Sequence, residues 1–236
     1  MKITIQELSK SFGGRDIFSN FSLEVDSGVR LCVCGPNGTG KSTLLRLLAG
    51  DEFVAAGGII SRWLPGQGGH VEMLADVRKG VRLVSDLSQA LYGFTLSGLE
   101  LVCSGFDNSI GVYREFTEEE RDEALRVMAG LFPEGDAARV AEKSIRRLSS
   151  GQLRRLFLAR ALVGRPDILL LDEPCSGLDA ESRARYLALL DRLAGQPGQD
   201  TFRGVHLVFV SHHGEDAPLC VNREARMEGG RLTVLR

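Results

Sequence analysis

The 236-residue chain contains no apolar run long enough to cross a membrane as a helix. A membrane-spanning helix needs about 20 consecutive apolar residues, whereas here the hydrophobic residues, 43% of the chain, are interspersed with polar ones. The opening stretch, MKITIQELSKSFGG, also lacks the apolar segment of a signal peptide. We therefore expect a globular protein that is held at a membrane, if it works there, by another molecule.

Excess positive charge and paired cysteines are also missing. The 29 Lys and Arg residues are outnumbered by 31 Asp and Glu, so the chain has no strong positive field for a phosphate backbone, and nucleic acid is not an expected partner. The five cysteines form no C-x-x-C pair and are odd in number, which argues against a zinc site or a disulfide framework. A reducing, cytosolic environment is the simpler expectation.

Strand-like and helix-like segments alternate along the chain. Residues 1 to 34 contain three strand-like runs, the first two joined by the glycine turn FGGRD, and residues 42 to 49 form a short helix that ends at Gly50. From 53 to 80 the glycine-rich sequence predicts loops and small strands, followed by the strand-like VRLV. The alternation predicts an α/β fold with a mostly parallel sheet.

Residues 90 to 148 differ in character and are predicted to form a helical insert. Thr117 and Glu120 match a capping box, and the apolar residues that follow lie on one helical face. After the insert, the pattern predicts a helix over 152 to 163, a strand over 167 to 173 and a second helix, and it ends with a strand and a glycine-turned hairpin.

The segment GPNGTGKS, residues 35 to 42, fits the phosphate-binding pattern G-x-x-x-x-G-K-[ST] between a predicted strand and a predicted helix. Its glycines let successive backbone N–H groups face phosphates, and the helix N-terminus adds positive potential. Lys41 is expected to reach the β and γ phosphates, and the Ser42 hydroxyl is expected to bind Mg²⁺. The predicted nucleotide-binding residues here are Gly35, Pro36, Asn37, Gly38, Thr39, Gly40, Lys41, Ser42 and Thr43.

Two acids end the apolar strand in DILLLDEP, residues 167 to 174. Ligands of open α/β sheets bind at the carboxyl ends of strands, so Asp172 should emerge near Ser42 and contribute to the Mg²⁺ site. Glu173 can orient an attacking water and remove its proton. The N/T-K-x-D segment with which GTPases read guanine is absent from the sequence.

A second anion-receptive helix start lies in LSSGQ, residues 148 to 152, where a polar, glycine-bearing segment precedes an apolar helix. With this segment the chain resembles the ATP-binding cassette (ABC) ATPases along essentially its whole length. The motifs that carry the resemblance stand in the family's order: GPNGTGKS (Walker A), LSSGQ (the signature), ILLLDEP (Walker B), SGLD (the D-loop) and VSHH (the switch histidine).

The resemblance implies a P-loop NTPase with a RecA-like core sheet, an N-terminal antiparallel β subdomain and a helical subdomain. It implies one cassette over residues 1–236, with the nucleotide-binding core in 1–89 and 149–236 and the helical subdomain in 90–148. Two chains would pair head to tail as a homodimer, or one chain with a second ABC ATPase, around ATP and Mg²⁺. An integral membrane permease would hold the dimer at the cytoplasmic face of the cell membrane.

The resemblance also assigns roles to residues outside the phosphate loop. Ser149, Gly151 and Gln152 would contact the γ-phosphate of ATP bound by the partner chain, and Asp179 would contact the partner's phosphate loop while also capping its own helix. His212 would sense the γ-phosphate, and Phe12 would stack on adenine. Lys41, Glu173 and His212 are thus the expected catalytic residues.

The sequence departs from the family pattern at two motifs. Ser85 and Asp86 stand where the glutamine of the Q-loop is expected, so Gln89 reaches the metal through a longer loop, Asp86 takes that place, or the contact is absent. Ser150 replaces a glycine of the ordinary signature, with a modest expected effect because serine is a good helix N-cap.

Within the family, the segments SGFDNSIGVYREFT and LVFVSHHGEDAPLC resemble ATP-binding proteins associated with molybdate transport. The proteins of that type contain two fused cassettes, whereas one cassette is present here. The expected function is ATP hydrolysis that drives transport, possible cargoes being molybdate or a related metal oxyanion. The alternative is a soluble ABC ATPase that acts on ribosomes or in regulation. Ribosome-acting members usually fuse two cassettes through a charged linker, and the DNA-acting class inserts a long coiled coil.

Overall fold

The computed structural model of the protein describes residues 1–54, 58–86, 91–92, 95–195, 206–212 and 217–235. Two compact units are present: Met1–Leu83 with Pro166–Glu173 and Val205–Arg236, and Val84–Arg165 with Pro174–Gly204. In chain order, the elements are β1 (Lys2–Phe12), β2 (Arg15–Asp26), β3 (Arg30–Cys34), α1 (Lys41–Ala49), β4 (Ile59–Leu64), β5 (Gly69–His70), α2 (Leu74–Gly80), β6 (Val81–Val84), α3 (Gly98–Cys103), α4 (Glu118–Leu131), α5 (Asp136–Glu142), α6 (Ser150–Leu162), β7 (Ile168–Asp172), α7 (Ala180–Gly195), β8 (His206–Ser211), β9 (Arg223–Glu228) and β10 (Arg231–Val234).

Two sheets are formed. A four-stranded antiparallel sheet has the order β2-β1-β4-β5, and a six-stranded sheet has the order β10-β9-β3-β8-β7-β6. In the second sheet β3 pairs in parallel with both β8 and β9, β7 pairs in parallel with β8, and only the hairpin β9–β10 is antiparallel among the registers described. The predicted α/β fold with an antiparallel β subdomain is confirmed.

The first unit is held together by a core around α1. Leu44, Leu45, Leu47 and Leu48 of this helix have no exposed surface, and their cluster includes residues of β1, β3, β7 and β8. Burial of apolar surface at about 25 cal/mol per Å² makes this cluster a main source of the unit's stability. Arg62 of β4 caps the C-terminal end of α1, because its guanidinium donates to the carbonyl oxygens of Leu47 and Leu48 at 2.5 and 3.1 Å. The helix that follows the phosphate loop is therefore fixed from both sheets.

The segment from 53 to 80 contains more structure than the loops and small strands predicted for it. The strands β4 and β5 are present, but residues 74 to 80 form the helix α2. The prediction missed it because seven residues give too short an apolar period, and because Met73 at its N-cap makes no side-chain capping bond.

The second unit is helical. Helix α6 packs against α3 and α4, and α7 also contacts α6, so this unit contains α6 and α7 besides the helices of the 90–148 segment. The predicted capping box at the start of α4 is present: Thr117 Oγ1 accepts the Glu120 N–H at 3.3 Å, and Glu120 Oε2 accepts the Thr117 N–H at 2.9 Å. No helix in the described part of the chain is both long and apolar enough to span a bilayer.

We expect Thr117→Ala to lower the free energy of unfolding by about 1 kcal/mol, since one N–H at the start of α4 loses its acceptor. Thr117→Ser keeps a hydroxyl at the same place and should restore most of the loss. Urea unfolding followed by far-UV circular dichroism measures both variants. Equal stability of the Ala and Ser variants would contradict a stabilising cap.

Candidate nucleotide-binding site

The predicted phosphate loop joins β3 to α1, and its backbone requires glycine at two positions. Gly35 has a φ of 145°, and a Cβ there would lie 2.2 Å from the Met227 carbonyl oxygen. Gly40 has a φ of 102°, and its Cβ would lie 2.6 Å from Ile17 Cγ2. Residues with a side chain rarely adopt such φ values. The loop can therefore lie close to β9 and β2 and still turn into the helix N-terminus.

Lys41 is the buried cation of this loop. Its ammonium donates to the carbonyl oxygens of Gly35 and Pro36, both at 2.8 Å, and the side chain is only 4% exposed. Burial lowers the pKa of Lys41, and the negative charges of Glu173 and Asp172 partly offset that effect. A phosphate bound in the loop would give the Lys41 ammonium a negatively charged partner in place of these two carbonyl oxygens.

Two of the side chains predicted to bind the metal, Ser42 and Asp172, come together at the end of β7. The Ser42 hydroxyl donates to Asp172 Oδ1 at 3.1 Å. Two neighbouring ligands of an octahedral Mg²⁺ ion are about 2.9 Å apart, and Mg²⁺ prefers one or two carboxylates together with phosphates and water. No cluster of three or more His, Cys, Asp and Glu suited to a metal occurs among the described residues. The oxygen pair of Ser42 and Asp172 therefore fits a magnesium ion shared with a nucleotide.

Glu173 and His212 form a pair beside the loop. Glu173 Oε2 lies 2.5 Å from His212 Nε2, at the ends of the neighbouring strands β7 and β8. Glu173 has a φ of 49°, in the left-handed region that is uncommon for a residue with a side chain. Its backbone N–H donates to the Val210 carbonyl oxygen at 3.0 Å. The parallel pairing of β7 and β8 thus brings together a carboxylate and an imidazole that are 39 positions apart in the sequence.

A cavity of about 560 Å³ lies in front of the loop. The lining includes Phe12, Ile17, Asn37, Gly38, Gly40, Lys41, Ser42, Thr43, Arg46, Glu173 and His212. Phe12 is 53% exposed, so its ring is available to a ligand rather than packed in the core. Thr39 turns its hydroxyl to the Pro36 carbonyl oxygen at 2.9 Å and helps to shape the loop.

Two residues of this lining were not predicted from the sequence. Ile17 of β2 and Arg46 of α1 both face the cavity. The Nε of Arg46 is buried, and no hydrogen-bond partner for it is present among the described residues. In the sequence, Arg46 is distinguished only by its place on the helix, five residues after Lys41. An arginine at such a position is usually an ordinary surface residue.

The residues predicted to contact a partner's nucleotide belong to the second unit. Ser149 and Gln152 form a reciprocal capping box at the start of α6, with N···O distances of 3.3 and 3.2 Å. The Ser149 oxygen accepts a bond there, so its O–H can still donate to an anion. A Cβ added at Gly151 would meet nothing nearer than Ser182 Oγ at 4.0 Å. The helix start is thus exposed and open.

Asp179 caps α7, as the sequence predicted. Its two carboxylate oxygens accept the backbone N–H and the hydroxyl of Ser182, both at 2.8 Å. These bonds lower the pKa of Asp179, the bond from the Ser182 backbone contributing most. The predicted contact of Asp179 with a partner chain is a separate role, and it stays a prediction.

The Q-loop assignment concerns Asp86 and Gln89. Asp86 Oδ1 lies 3.2 Å from Arg154 Nη1, which forms an ion pair within the second unit. Arg154 is otherwise buried and donates to the Ser176 carbonyl oxygen. Gln89, predicted to reach the metal, lies outside the described residues.

Comparison with known proteins identifies the family. The family model for ABC transporters matches residues 18–176. The protein belongs to the ATP-binding cassette (ABC) transporter family, whose cassettes bind and hydrolyse ATP.

Curated relatives with transport-associated names are about one third identical to this chain over the aligned residues. The ABC transporter ATP-binding protein ModF of Escherichia coli K12 is 34% identical over 211 residues, which cover 89% of this chain and 41% of ModF. The aliphatic sulfonates import ATP-binding protein SsuB of Yersinia pestis is 33% identical over 231 residues, 98% of this chain and 74% of SsuB. The chain thus spans less than half of the length of ModF.

The fold recurs among solved cassettes. The dimeric structure of MJ0796, a bacterial ABC transporter cassette, superposes with a TM-score of 0.75 at 23% identity and covers 99% of both chains. At that identity the likeness establishes the fold alone.

Proposed function

We propose that this chain is the ATP-binding and ATP-hydrolysing subunit of an ABC transporter. One observation carries the proposal: Lys41, Ser42, Glu173 and His212 line a single cavity, and Asp172 is bonded to Ser42. A phosphate cradle, a metal-binding oxygen pair and a base are the parts that phosphoryl transfer to water requires. We also propose that the whole chain is one cassette with the core in 1–89 and 149–236 and the helical subdomain in 90–148.

In the proposed reaction, the loop N–H groups and Lys41 bind the phosphates of ATP, and Phe12 stacks on the adenine. Ser42 and Asp172 would hold Mg²⁺, which would supply positive charge to neutralise the phosphates. Glu173 orients a water in line with the γ-phosphate and accepts its proton. His212, already 2.5 Å from Glu173, holds the carboxylate in place and contacts the γ-phosphate.

We further propose that two chains close head to tail around two ATP molecules. The exposed capping box at Ser149 and the open space at Gly151 suit an anion supplied from outside the second unit. In a twofold dimer both chains use the same surface, within which one element of each chain contacts a different element of the other, so each signature would cover the phosphate loop of its partner. Closure in the ATP state and opening after hydrolysis would provide the movement that drives transport.

Mixing two defective variants tests this pairing. We expect Lys41→Ala chains and Ser149→Arg chains to form no ATP-dependent dimers separately, whereas their mixture forms heterodimers with one intact composite site. Both variants should carry Glu173→Gln so that bound ATP persists, and analytical ultracentrifugation with and without ATP measures the pairing. Lys41→Ala mixed with differently labelled Lys41→Ala is the control. A mixture that pairs no more than its parents would refute the head-to-tail arrangement.

The partner that we propose is an integral membrane permease, which would hold the dimer at the cytoplasmic face of the membrane. The cargo is proposed to be molybdate or a related oxyanion, on the resemblance of two segments. ModF and SsuB are nearly equally similar to this chain, and SsuB is named for aliphatic sulfonates, so identity alone does not select the cargo.

Affinity purification of the tagged chain from native membranes tests the transporter assignment. Recovery of an integral membrane protein in stoichiometric amount, and growth or uptake defects specific to one oxyanion, would support it. Recovery of ribosomes or of soluble proteins alone would support the alternative, a soluble ABC ATPase. Turnover by the purified chain would not separate the two.

A further inference from the structure

A second cavity, of about 320 Å³, lies within the second unit and belongs to none of the motifs described above. One wall is a stripe of α7 in which Arg185 and Arg192 are two helical turns apart, with Ala188 and Leu189 between them on the same face. The end of α4, the following Phe132 and Arg155 of α6 also line the cleft. We call this cavity the arginine cleft.

The lining of the arginine cleft combines cations with apolar surface. Leu131, Phe132 and Leu189 are each less than a tenth exposed and provide apolar surface. Three guanidinium groups line the same space, and none of the described lining residues is acidic. A ligand that fits this lining has both a negative charge and an apolar part.

The three arginines differ in their partners. Arg185 pairs with Glu181 on its own helix, and Arg192 donates to the Gly130 carbonyl oxygen at 2.6 Å. Arg155 forms no hydrogen bond or ion pair within the described part of the chain, and its guanidinium carbon lies 6.0 Å from the centroid of the Phe132 ring. Arg155 is therefore the cation that a ligand can pair with directly.

The electrostatic environment agrees with this geometry. Burial lowers the pKa of Arg155, and the like charges of Arg185 and Arg192 lower it further, while Asp136 partly offsets them. An anion in the cleft would relieve the repulsion among the three guanidinium groups. The planar fork of arginine donors also matches a carboxylate in two-point geometry.

We propose that the arginine cleft binds a small organic carboxylate whose apolar part packs on Phe132 and Leu189 and whose carboxylate pairs with Arg155. Ligand cavities range from about 300 to 1,000 Å³, so a cleft of 320 Å³ suits a compact molecule such as an aryl or branched-alkyl carboxylate. The site lies in the second unit, and the inference does not depend on the function proposed for the nucleotide cavity.

Three probes separate the two halves of this recognition in the full-length protein. Phenylacetate has both charge and apolar surface, phenylacetamide lacks the charge, and sulfate lacks the apolar surface. We expect saturable binding of phenylacetate by ligand-observed NMR, with a Kd of about 1 mM, since a ligand of this size has little surface to bury. Phenylacetamide and sulfate should each bind at least tenfold more weakly.

Two variants locate the binding. Arg155→Gln removes the charge, and Ala188→Phe fills the cleft from an exposed position of α7, where a larger side chain is compatible with folding. Each should weaken phenylacetate binding at least tenfold. Arg126→Gln removes an exposed arginine of α4 that pairs with Glu123 and does not line the cleft, and it should leave binding unchanged.

The outcomes that overturn the proposal are distinct from those that support it. No saturable binding of phenylacetate or of 3-methylbutanoate up to about 20 mM would exclude the site. Sulfate binding as tightly as phenylacetate would reduce the cleft to a cationic patch. Unchanged binding in Ala188→Phe would place the ligand elsewhere, even if Arg155→Gln failed to fold.

Discussion

Glu173→Gln should abolish steady-state ATP hydrolysis while leaving ATP binding intact. A general base contributes about 10²- to 10⁴-fold to the rate, so we expect phosphate release to fall at least 100-fold. The amide keeps the size and position of the carboxylate, beside His212 at the end of β7, but it cannot accept a proton. ATP should consequently accumulate in the closed dimer.

Phosphate release, equilibrium binding of labelled ATP and the dimer fraction at saturating ATP measure these three effects. Glu181→Gln changes an exposed glutamate of α7 in the same way and serves as the matched control, with turnover near that of the unaltered protein. Turnover in Glu173→Gln at the level of this control would remove Glu173 as the base. Loss of ATP binding would instead assign it a role in holding the nucleotide.

Lys41→Met should weaken ATP binding about 100-fold, since a charge-assisted contact to phosphate is lost and its replacement cannot donate. The free energy of unfolding should rise or stay nearly unchanged. Burial lowers the pKa of Lys41, so the folded protein pays a desolvation cost for this cation, and methionine removes the cost while retaining an apolar stem.

Isothermal titration with ATP and urea unfolding of the nucleotide-free protein separate the two effects. Lys79→Met is the control, because Lys79 is exposed and its ion-pair partner among the described residues is Asp76, so ATP affinity should be unchanged. ATP binding that survives Lys41→Met would contradict the phosphate cradle. A large loss of stability would show that the bonds from Lys41 to Gly35 and Pro36 hold the loop together.

The predictions from sequence were most successful where the interacting residues are close in the chain. The capping box of Thr117 and Glu120 depends on positions three apart, and the cap of α7 by Asp179 likewise depends on Ser182. Such bonds form whenever the local helix forms, so residue types and spacing suffice to predict them. The phosphate loop was predicted for the same reason.

Residues far apart in the chain were predicted only where a known motif linked them. Asp172 was placed near Ser42 because strand ends meet at one edge of a parallel sheet, and their hydroxyl–carboxylate bond confirms that proximity. Arg46 had no motif, and its position in the cavity beside Phe12 depends on how α1 packs against the antiparallel sheet. The helix α2 was missed because its seven residues lack a capping side chain.

The sequence by itself determined the family, the order of elements apart from α2, and the residues of the phosphate loop, because these depend on local spacing and backbone conformation. Only the tertiary structure decided that Glu173 lies 2.5 Å from His212. It alone also grouped Arg155, Arg185 and Arg192 around apolar surface. Both arrangements depend on the pairing of strands and the packing of helices from distant parts of the chain, which the burial of many apolar side chains determines together.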